Sequence, residues 1–179
     1  MPPCSLWSLV RRSAFSTGVL DPVARKQVLR SFTYGLYWVT AEHAGERGVF
    51  TANWVSQASF DPPLIMLSVE ATSSTLPLMR ESGRFVVGPF RSDQRELAGN
   101  LGRPKERAGD KIAIYDLEIE SMESGGCALR DSLGALACEV RSECKAGDSV
   151  VLIAEVVEAR ILGDGEPLTM AAAGFRHFG

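Results

Sequence analysis

The chain has 179 residues, of which 45% are hydrophobic and 23% are charged. These values suit one globular domain with a packed core, and they exclude a chain that is disordered throughout. With 19 Lys and Arg against 22 Asp and Glu, the formal net charge is -3. The sequence therefore offers no overall positive field for nucleic acid or an anionic membrane, and we expect neither as a partner.

The four cysteines are Cys4, Cys127, Cys138 and Cys144, and only two histidines accompany them. No C-x-x-C pair occurs, so a zinc site of the usual spacing cannot be assembled from local pairs, and we expect no metal. The cysteines are interpreted as buried or inert thiols in a reducing compartment, which predicts a cytoplasmic protein. A disulfide between Cys138 and Cys144 stays open as an alternative.

The first twenty residues differ in character from the rest. They contain no acid, carry Arg11 and Arg12 and are rich in serine, which is typical of an organelle transit peptide or of a flexible extension. Both interpretations stay open. No apolar run reaches the roughly 20 residues that a membrane-spanning helix needs. We therefore expect an extension over residues 1–20 and one domain over residues 21–179.

In the first part of this domain the sequence predicts one helix and three strands. Asp21 is a good N-cap, and Pro22 at the first helical position loses no hydrogen bond; the helix should end between residues 31 and 33. Aromatic and β-branched residues predict a hairpin of strands 34–40 and 49–51, with its turn at residues 45–48. The unbroken apolar run 64–69 predicts a strand covered on both faces.

Further along, short helices and strands follow each other without a regular strand-helix repeat. The sequence predicts helices over 73–82 and 92–98, a loop over 99–110, and strands over 84–90, 133–140 and 150–161. Glycines predict turns at residues 125–126, 146–148 and 163–165. The pattern argues against a doubly wound parallel sheet and favours an antiparallel barrel of six to eight strands.

The segment TANWVSQASFDPP, residues 51–63, packs small and polar residues between two apolar stretches. It contains no acid or base before Asp61, so it suits holding a ligand rather than attacking one. The usual motifs for phosphate cradles, nucleophilic serines and zinc proteases are absent from the chain. The charged stretch 103–107 is interpreted as a solvated loop.

Six blocks of sequence resemble a known family. They are FTYGLYWVTAE, GVFTANWVSQASFDPPLIMLSVE, SGRFVV, DQRELA, GDKI and AGDSVVLIAEVVEA. Their order and spacing resemble the flavin reductase-like, FMN-binding split-barrel family. The resemblance implies a mainly β fold, a six-stranded antiparallel split barrel of Greek-key type with a few short peripheral helices. It also implies a homodimer with flavin near the subunit interface.

The resemblance further implies a set of cofactor-binding residues and no catalytic side chain. An isoalloxazine ring is well served by backbone N–H groups of an extended segment and by small side chains. Residues 51–54 would be a strand end that meets the flavin, and residues 55–60 a turn that bends around it. The implied flavin contacts are Trp38, Val39, Thr40, Thr51, Ala52, Asn53, Trp54, Gln57, Ala58, Ser59, Ser73, Ser74 and Thr75.

The chain departs from the family pattern in two places. Ala71 stands where lysine is common, which removes a charge-assisted contact to the phosphate; Arg80, Arg91 or Lys111 could replace it. Ser149 stands where the family often has histidine, and Ala154 where it often has glycine. His177 could approach the flavin from the tail.

The function implied is a flavin-dependent oxidoreductase that transfers a hydride from NAD(P)H to FMN, with FAD as a possible flavin. Reduced flavin or electrons would pass to a partner such as a monooxygenase. The cofactor carries the chemistry, so the lack of an acid-base pair is no objection. The alternatives are an FMN-binding electron carrier without NAD(P)H turnover and a split-barrel module without flavin.

Overall fold

The computed structural model describes residues 20–103 and 110–176. Cys4, His177, residues 1–19 of the predicted extension and most of the charged loop lie outside these described residues. No helix within the described ranges combines the length and the apolarity needed to cross a membrane.

Nine strands and five short helices make up the described part of the chain. The strands are β1 (Tyr37–His43), β2 (Glu46–Ala52), β3 (Val55–Ser59), β4 (Leu64–Glu70), β5 (Arg84–Pro89), β6 (Ile119–Ser121), β7 (Cys127–Leu129), β8 (Gly134–Ala146) and β9 (Ser149–Ile161). The helices are α1 (Pro22–Arg30), α2 (Leu76–Ser82), α3 (Arg95–Leu101), α4 (Lys111–Ile114) and α5 (Met170–Ala173).

Seven strands form one antiparallel sheet in the order β2-β1-β5-β8-β9-β4-β3, and β6 pairs with β7 in a second sheet. The prediction of a mainly β, antiparallel fold with a few short helices is confirmed. β2 and β3 occupy opposite edges, yet only Asn53 and Trp54 separate them in the chain. Such a link spans about 11 Å, whereas seven flat strands would be about 29 Å across. The sheet therefore curls until its two edges approach each other.

The hairpin of β1 and β2 forms as predicted, with its turn slightly earlier. Val39 pairs with Phe50 and His43 with Glu46, which leaves Ala44 and Gly45 as the turn, both with positive φ. A two-residue turn of this kind matches the twist of the strands. β2 therefore begins before residue 49, the predicted start.

Helix α1 also begins as predicted, but its apolar residues are not covered. The Asp21 carboxylate accepts a hydrogen bond from the Val23 N–H at 2.8 Å. No residue of α1 is buried, and Val23 is 71% exposed, Val28 58% and Phe32, just beyond the helix, 55%. Helix α1 and Phe32 thus present an apolar surface to solvent.

Two other predictions are wrong. Residues 55–59 were expected to form a turn, but they form strand β3, in which Val55 pairs with Leu67 of β4. Helix α3 begins at Arg95 instead of Ser92. The reason is the Gln94 side chain, whose Oε1 accepts from the Arg91 N–H at 2.9 Å and thereby closes a turn over the preceding residues.

The curled sheet has a packed cluster on each face. One cluster contains Trp38, Val86 and Phe90, and the other contains Val39 and Phe85. Both faces of the central strands are therefore covered, as alternation of side chains across a strand allows.

Cys127 and Cys138 are buried free thiols. The Cys138–Cys144 disulfide is therefore wrong. Burial raises the pKa of the Cys138 thiol to about 12. Burial likewise raises the pKa of Cys127, so both thiols are protonated at neutral pH and weak nucleophiles.

Candidate functional site

A cleft of about 1100 Å³ runs along strand β2. Its volume is slightly above the usual range for small-ligand sites. The lining residues come from residues 45–54, the end of β4 and the loop after it, residues 101–103 at the end of α3, the segment around α4, and the chain end at Met170 and Phe175; Leu36 completes the set. Every residue from Gly45 to Trp54 takes part.

Strand β2 lines the cleft over its whole length because it is an edge strand. It pairs with β1 on one side only. The backbone N–H and C=O groups on the outer side of an edge strand have no partner strand and can bind a ligand. The site therefore presents an extended backbone, as predicted for residues 51–54.

The loop after β4 supplies hydroxyl groups to the cleft from Thr72, Ser73, Ser74 and Thr75. This loop approaches β2 closely at Gly48, where an added Cβ would lie 2.7 Å from the Thr75 Oγ1. Only glycine permits that approach without displacement of Thr75. Gly48 thus keeps the hydroxyl cluster beside the edge strand.

Helices α3 and α4 form the wall on the other side of β2. The Thr51 hydroxyl donates to the Ala98 carbonyl at 2.7 Å. The buried Lys111 ammonium donates to the Leu101 carbonyl at 2.5 Å and to the Val49 carbonyl at 3.4 Å. Lys111, a candidate to replace the lysine that is missing at position 71, therefore links this wall to β2.

The chain end closes one part of the cleft. The Asn53 Nδ2 donates to the Met170 Sδ at 3.0 Å. Arg95 lies over the Phe175 ring, 5.5 Å from its centroid, and its Nε donates to the Ala173 carbonyl at 2.7 Å. Helix α5 is thus held against α3, and Met170 and Phe175 face the cleft.

The cleft brings together one part of the predicted flavin contacts and leaves out another. It is lined by Thr51, Ala52, Asn53, Trp54, Ser73, Ser74 and Thr75. Gln57, Ala58 and Ser59 lie on β3, mostly exposed, and are not among its lining residues. No observation tests their contact with a flavin, which stays a prediction.

Trp38, Val39 and Thr40 are 0% exposed and also lie outside the cleft lining. The Thr40 hydroxyl donates to the Cys127 carbonyl. The Trp38 Nε1 has no acceptor within residues 20–103 and 110–176. Trp38 and Val39 pack in the two core clusters, and the adjacent Thr40 is buried as well. No observation tests the contact of these three residues with a flavin, which stays a prediction.

The cations near the site differ from those expected. Arg80 pairs with Glu143 at 3.0 Å, and Arg91 pairs with Asp93 and Asp131 at 2.7 and 2.8 Å. The hydrogen bond from Arg91 lowers the pKa of Asp93. Neither arginine lines the cleft.

Arg47 and Arg103 do line the cleft, and sequence reasoning missed both. No ion pair within the described ranges involves either side chain. The carboxylates that share the lining are Glu46, Glu70, Asp110 and Asp116, and the described lining contains no histidine. Arg47 carried no signal because β2 was expected to begin later.

Comparison with known proteins gives a family. The model of the Flavin reductase like domain family matches residues 29–179. This range covers most of the chain, including every residue of the cleft described above.

Among curated relatives, a probable flavin reductase of Rhizobium meliloti is 29% identical over 140 residues, 77% of this chain and 43% of its own length. The reductase component of a 4-nitrophenol 4-monooxygenase/4-nitrocatechol 2-monooxygenase from Rhodococcus opacus is 29% identical, over 89% of this chain and 82% of its own. An FMN reductase (NADH), SmoA, from Agrobacterium fabrum is 29% identical over 86% of this chain and 84% of its own length. The chain thus spans less than half of the first relative.

A solved structure, the flavin reductase PheA2 in its native state, is similar to this chain with a TM-score of 0.72. Sequence identity is 25%, and the match covers 84% of this chain and 93% of the other. The two chains share their fold over nearly the whole of PheA2.

Proposed function

Because the chain belongs to the flavin reductase-like domain family, we propose that it is an NAD(P)H:flavin oxidoreductase that uses FMN, with FAD as a possible flavin. The observation that carries this proposal is the cleft along the unpaired edge of β2. It combines an extended backbone with a cluster of hydroxyl groups, and these two donor sets suit the two ends of an FMN molecule.

The ring end of the flavin would lie along β2. Thr51, Ala52 and Asn53 have small side chains, so a planar ring can reach the backbone of the edge strand. Trp54 and Phe175 add apolar surface to the same cleft. When bound, the flavin supplies the redox chemistry, because its ring accepts a hydride from NADH or NADPH. The residues of this chain would hold and orient the ring.

The phosphate end would lie at the hydroxyl cluster of Ser73, Ser74 and Thr75. Hydroxyl groups donate to phosphate oxygens, but a charge-assisted contact is stronger. We assign that contact to Arg47, whose cation lines the same cleft as these hydroxyl groups. Arg47 would replace the lysine that is missing at Ala71.

We also propose that the curled sheet is a six-stranded split barrel. β2 and β3 count as one bent strand in this description, because two residues separate them and they occupy the two edges that approach each other. The domain would cover residues 21–179, with residues 1–20 as an extension outside it. A cytoplasmic location stays part of the proposal.

The proposed assembly is a homodimer. It is supported by exposed apolar side chains that a monomer would leave in water, Val23, Val28, Phe32, Phe60 at 89% and Ile161 at 91% exposure. We expect sedimentation equilibrium of the purified chain to give twice the mass of one chain. A single-chain mass at micromolar concentration would contradict the dimer.

The partner that receives reduced flavin is proposed to be a monooxygenase. The relative from Rhodococcus opacus is named as the reductase component of such a system. A reductase and an oxygenase need not form a stable complex if the flavin itself diffuses between them.

We expect purified protein to bind FMN and to oxidise NADH or NADPH faster than free FMN does. Titration of FMN fluorescence gives the affinity, and absorbance after anaerobic NADH addition reports reduction of the bound flavin. Riboflavin, which lacks the phosphate, should bind at least about tenfold more weakly, since hydrogen bonds to charged groups contribute about 1.5 to 3 kcal/mol. The variant Arg47→Met should lose part of that difference, whereas Arg80→Met, outside the cleft, should keep it.

The same experiment separates the second candidate function. An FMN carrier without turnover is favoured by one observation, the absence of histidine from the described lining of the cleft. Ser149, at the position where the family often has histidine, is buried and donates to the Asp148 carboxylate at 3.1 Å. Bound FMN that NADH and NADPH fail to bleach would identify the carrier. Failure to bind FMN would reject both functions.

A further inference from the structure

We infer that Met170 is a positioning residue, which turns the Asn53 carboxamide so that its oxygen faces a ligand bound in the cleft. The inference rests on the proposed flavin site and gives it a selectivity. A carboxamide oxygen accepts hydrogen bonds, so the site would select a ligand with a ring N–H donor, such as the imide N3–H of a flavin.

The contact between Asn53 and Met170 determines which end of the amide is free. Nδ2 lies 3.0 Å from the Met170 Sδ. A thioether sulfur can accept a hydrogen bond but cannot donate one. Only the NH2 end of the amide can therefore bond to the sulfur, and the oxygen must point the other way.

The amide oxygen is accessible to a ligand. Asn53 lines the cleft and is half-buried. No hydrogen-bond donor within residues 20–103 and 110–176 reaches its Oδ1. Within these ranges, Trp38 Nε1 is the only buried side-chain polar atom without a hydrogen-bond partner, and Oδ1 is therefore not such an atom. Oδ1 therefore has free acceptor capacity and is not fully buried.

Met170 is fixed firmly enough to orient its neighbour. Its side chain is 3% exposed. Its N–H donates to the Tyr34 carbonyl at 3.0 Å, and its carbonyl accepts from the Phe175 N–H at 3.1 Å. The Thr169 hydroxyl caps α5 by accepting from the Ala172 N–H at 3.1 Å. Burial and these hydrogen bonds thus hold the sulfur in place beside Asn53.

Removal of the sulfur should reverse the preference of the amide. With leucine at position 170 the NH2 group would face an apolar side chain without an acceptor, which is unfavourable for a donor. The amide would then turn its NH2 group toward the cleft, where it opposes a ligand N–H. Affinity for a ligand with that N–H should fall, whereas affinity for the same ligand with the N–H methylated should change little.

The test compares FMN with N3-methyl-FMN in fluorescence titrations of the full chain. Wild-type protein should bind FMN at least about fivefold more tightly than the methylated form, the value of one ordinary hydrogen bond. Met170→Leu, a volume-conserving exchange that cores tolerate, should bring the two affinities to within about twofold. Met79→Leu is the matched control, since Met79 is equally buried but lies in the other core cluster, outside the cleft; it should leave the ratio unchanged.

A second variant keeps the inference open to test if Met170→Leu folds poorly. Asn53→Ala leaves Met170 in place and removes the amide oxygen, so the affinities for FMN and N3-methyl-FMN should again lie within about twofold of each other. A wild-type ratio in Asn53→Ala would overturn the inference. If wild type binds FMN but Met170→Leu retains the wild-type ratio, the inference is overturned and the proposed function is not. If wild type binds no flavin, both fall.

Discussion

Trp38→Ala should lower the free energy of unfolding by about 3 to 5 kcal/mol, the range for truncation of a buried aromatic side chain, while the affinity of the folded protein for FMN changes little. Trp38 is 0% exposed and packs in the cluster with Val86 and Phe90. It lies outside the lining of the cleft. Urea denaturation gives the loss of stability, and FMN titration under conditions where the variant stays folded gives the affinity.

Trp54→Ala is the matched control. Trp54 is half-buried and lines the cleft, so its truncation should cost less stability but weaken FMN binding more. The family resemblance assigns both tryptophans to the flavin, and the two variants separate that assignment from a core role. If Trp38→Ala were as stable as wild type and bound FMN much more weakly, Trp38 would be a ligand-contacting residue.

The elements that the sequence predicts correctly are those with local signals. Asp21 and Pro22 mark the start of α1, and the glycines at 125, 126 and 147 adopt the positive φ values expected of turns. Strand β3 was missed because it depends on pairing with β4, a tertiary interaction that outweighs the loop-like composition of residues 55–59. The outer half of β8, residues 141–146, was missed for a related reason, since it is exposed and has no apolar alternation.

The site was predictable where its residues are close in the chain. Thr51 to Trp54 and Ser73 to Thr75 were found from composition and family resemblance, and both groups line the cleft. Met170 was not found, because it contacts Asn53 across 117 positions of sequence and lies on a helix too short to show periodicity. For Trp38 the sequence leaves a core role and a flavin-facing role equally open, since one strand does not reveal that both of its faces are covered.

Gly88→Ala should lower the free energy of unfolding by about 3 kcal/mol, at the upper end of the cost of overpacking a core. Gly88 lies in β5 opposite Trp38. An added Cβ would stand 2.1 Å from the Gly134 carbonyl oxygen and 2.3 Å from the Trp38 ring, so backbone of β8 has to move. For a chain of this size that loss should lower the melting temperature by about 6 to 12 °C. Thermal denaturation measures it.

The obstacle at Gly88 has two parts, and a double-mutant cycle separates them. Trp38→Phe removes the part of the indole that meets the new Cβ, but it leaves the Gly134 carbonyl in place. The double variant should therefore be more stable than the sum of the single losses predicts, yet still less stable than Trp38→Phe alone. Gly102→Ala is the control, because the nearest atom to its Cβ is 3.4 Å away, and it should cost little. Strict additivity at Gly88 and Trp38 would mean that the two residues do not share the contact, and the close approach of β5 to Trp38 would have to be rejected.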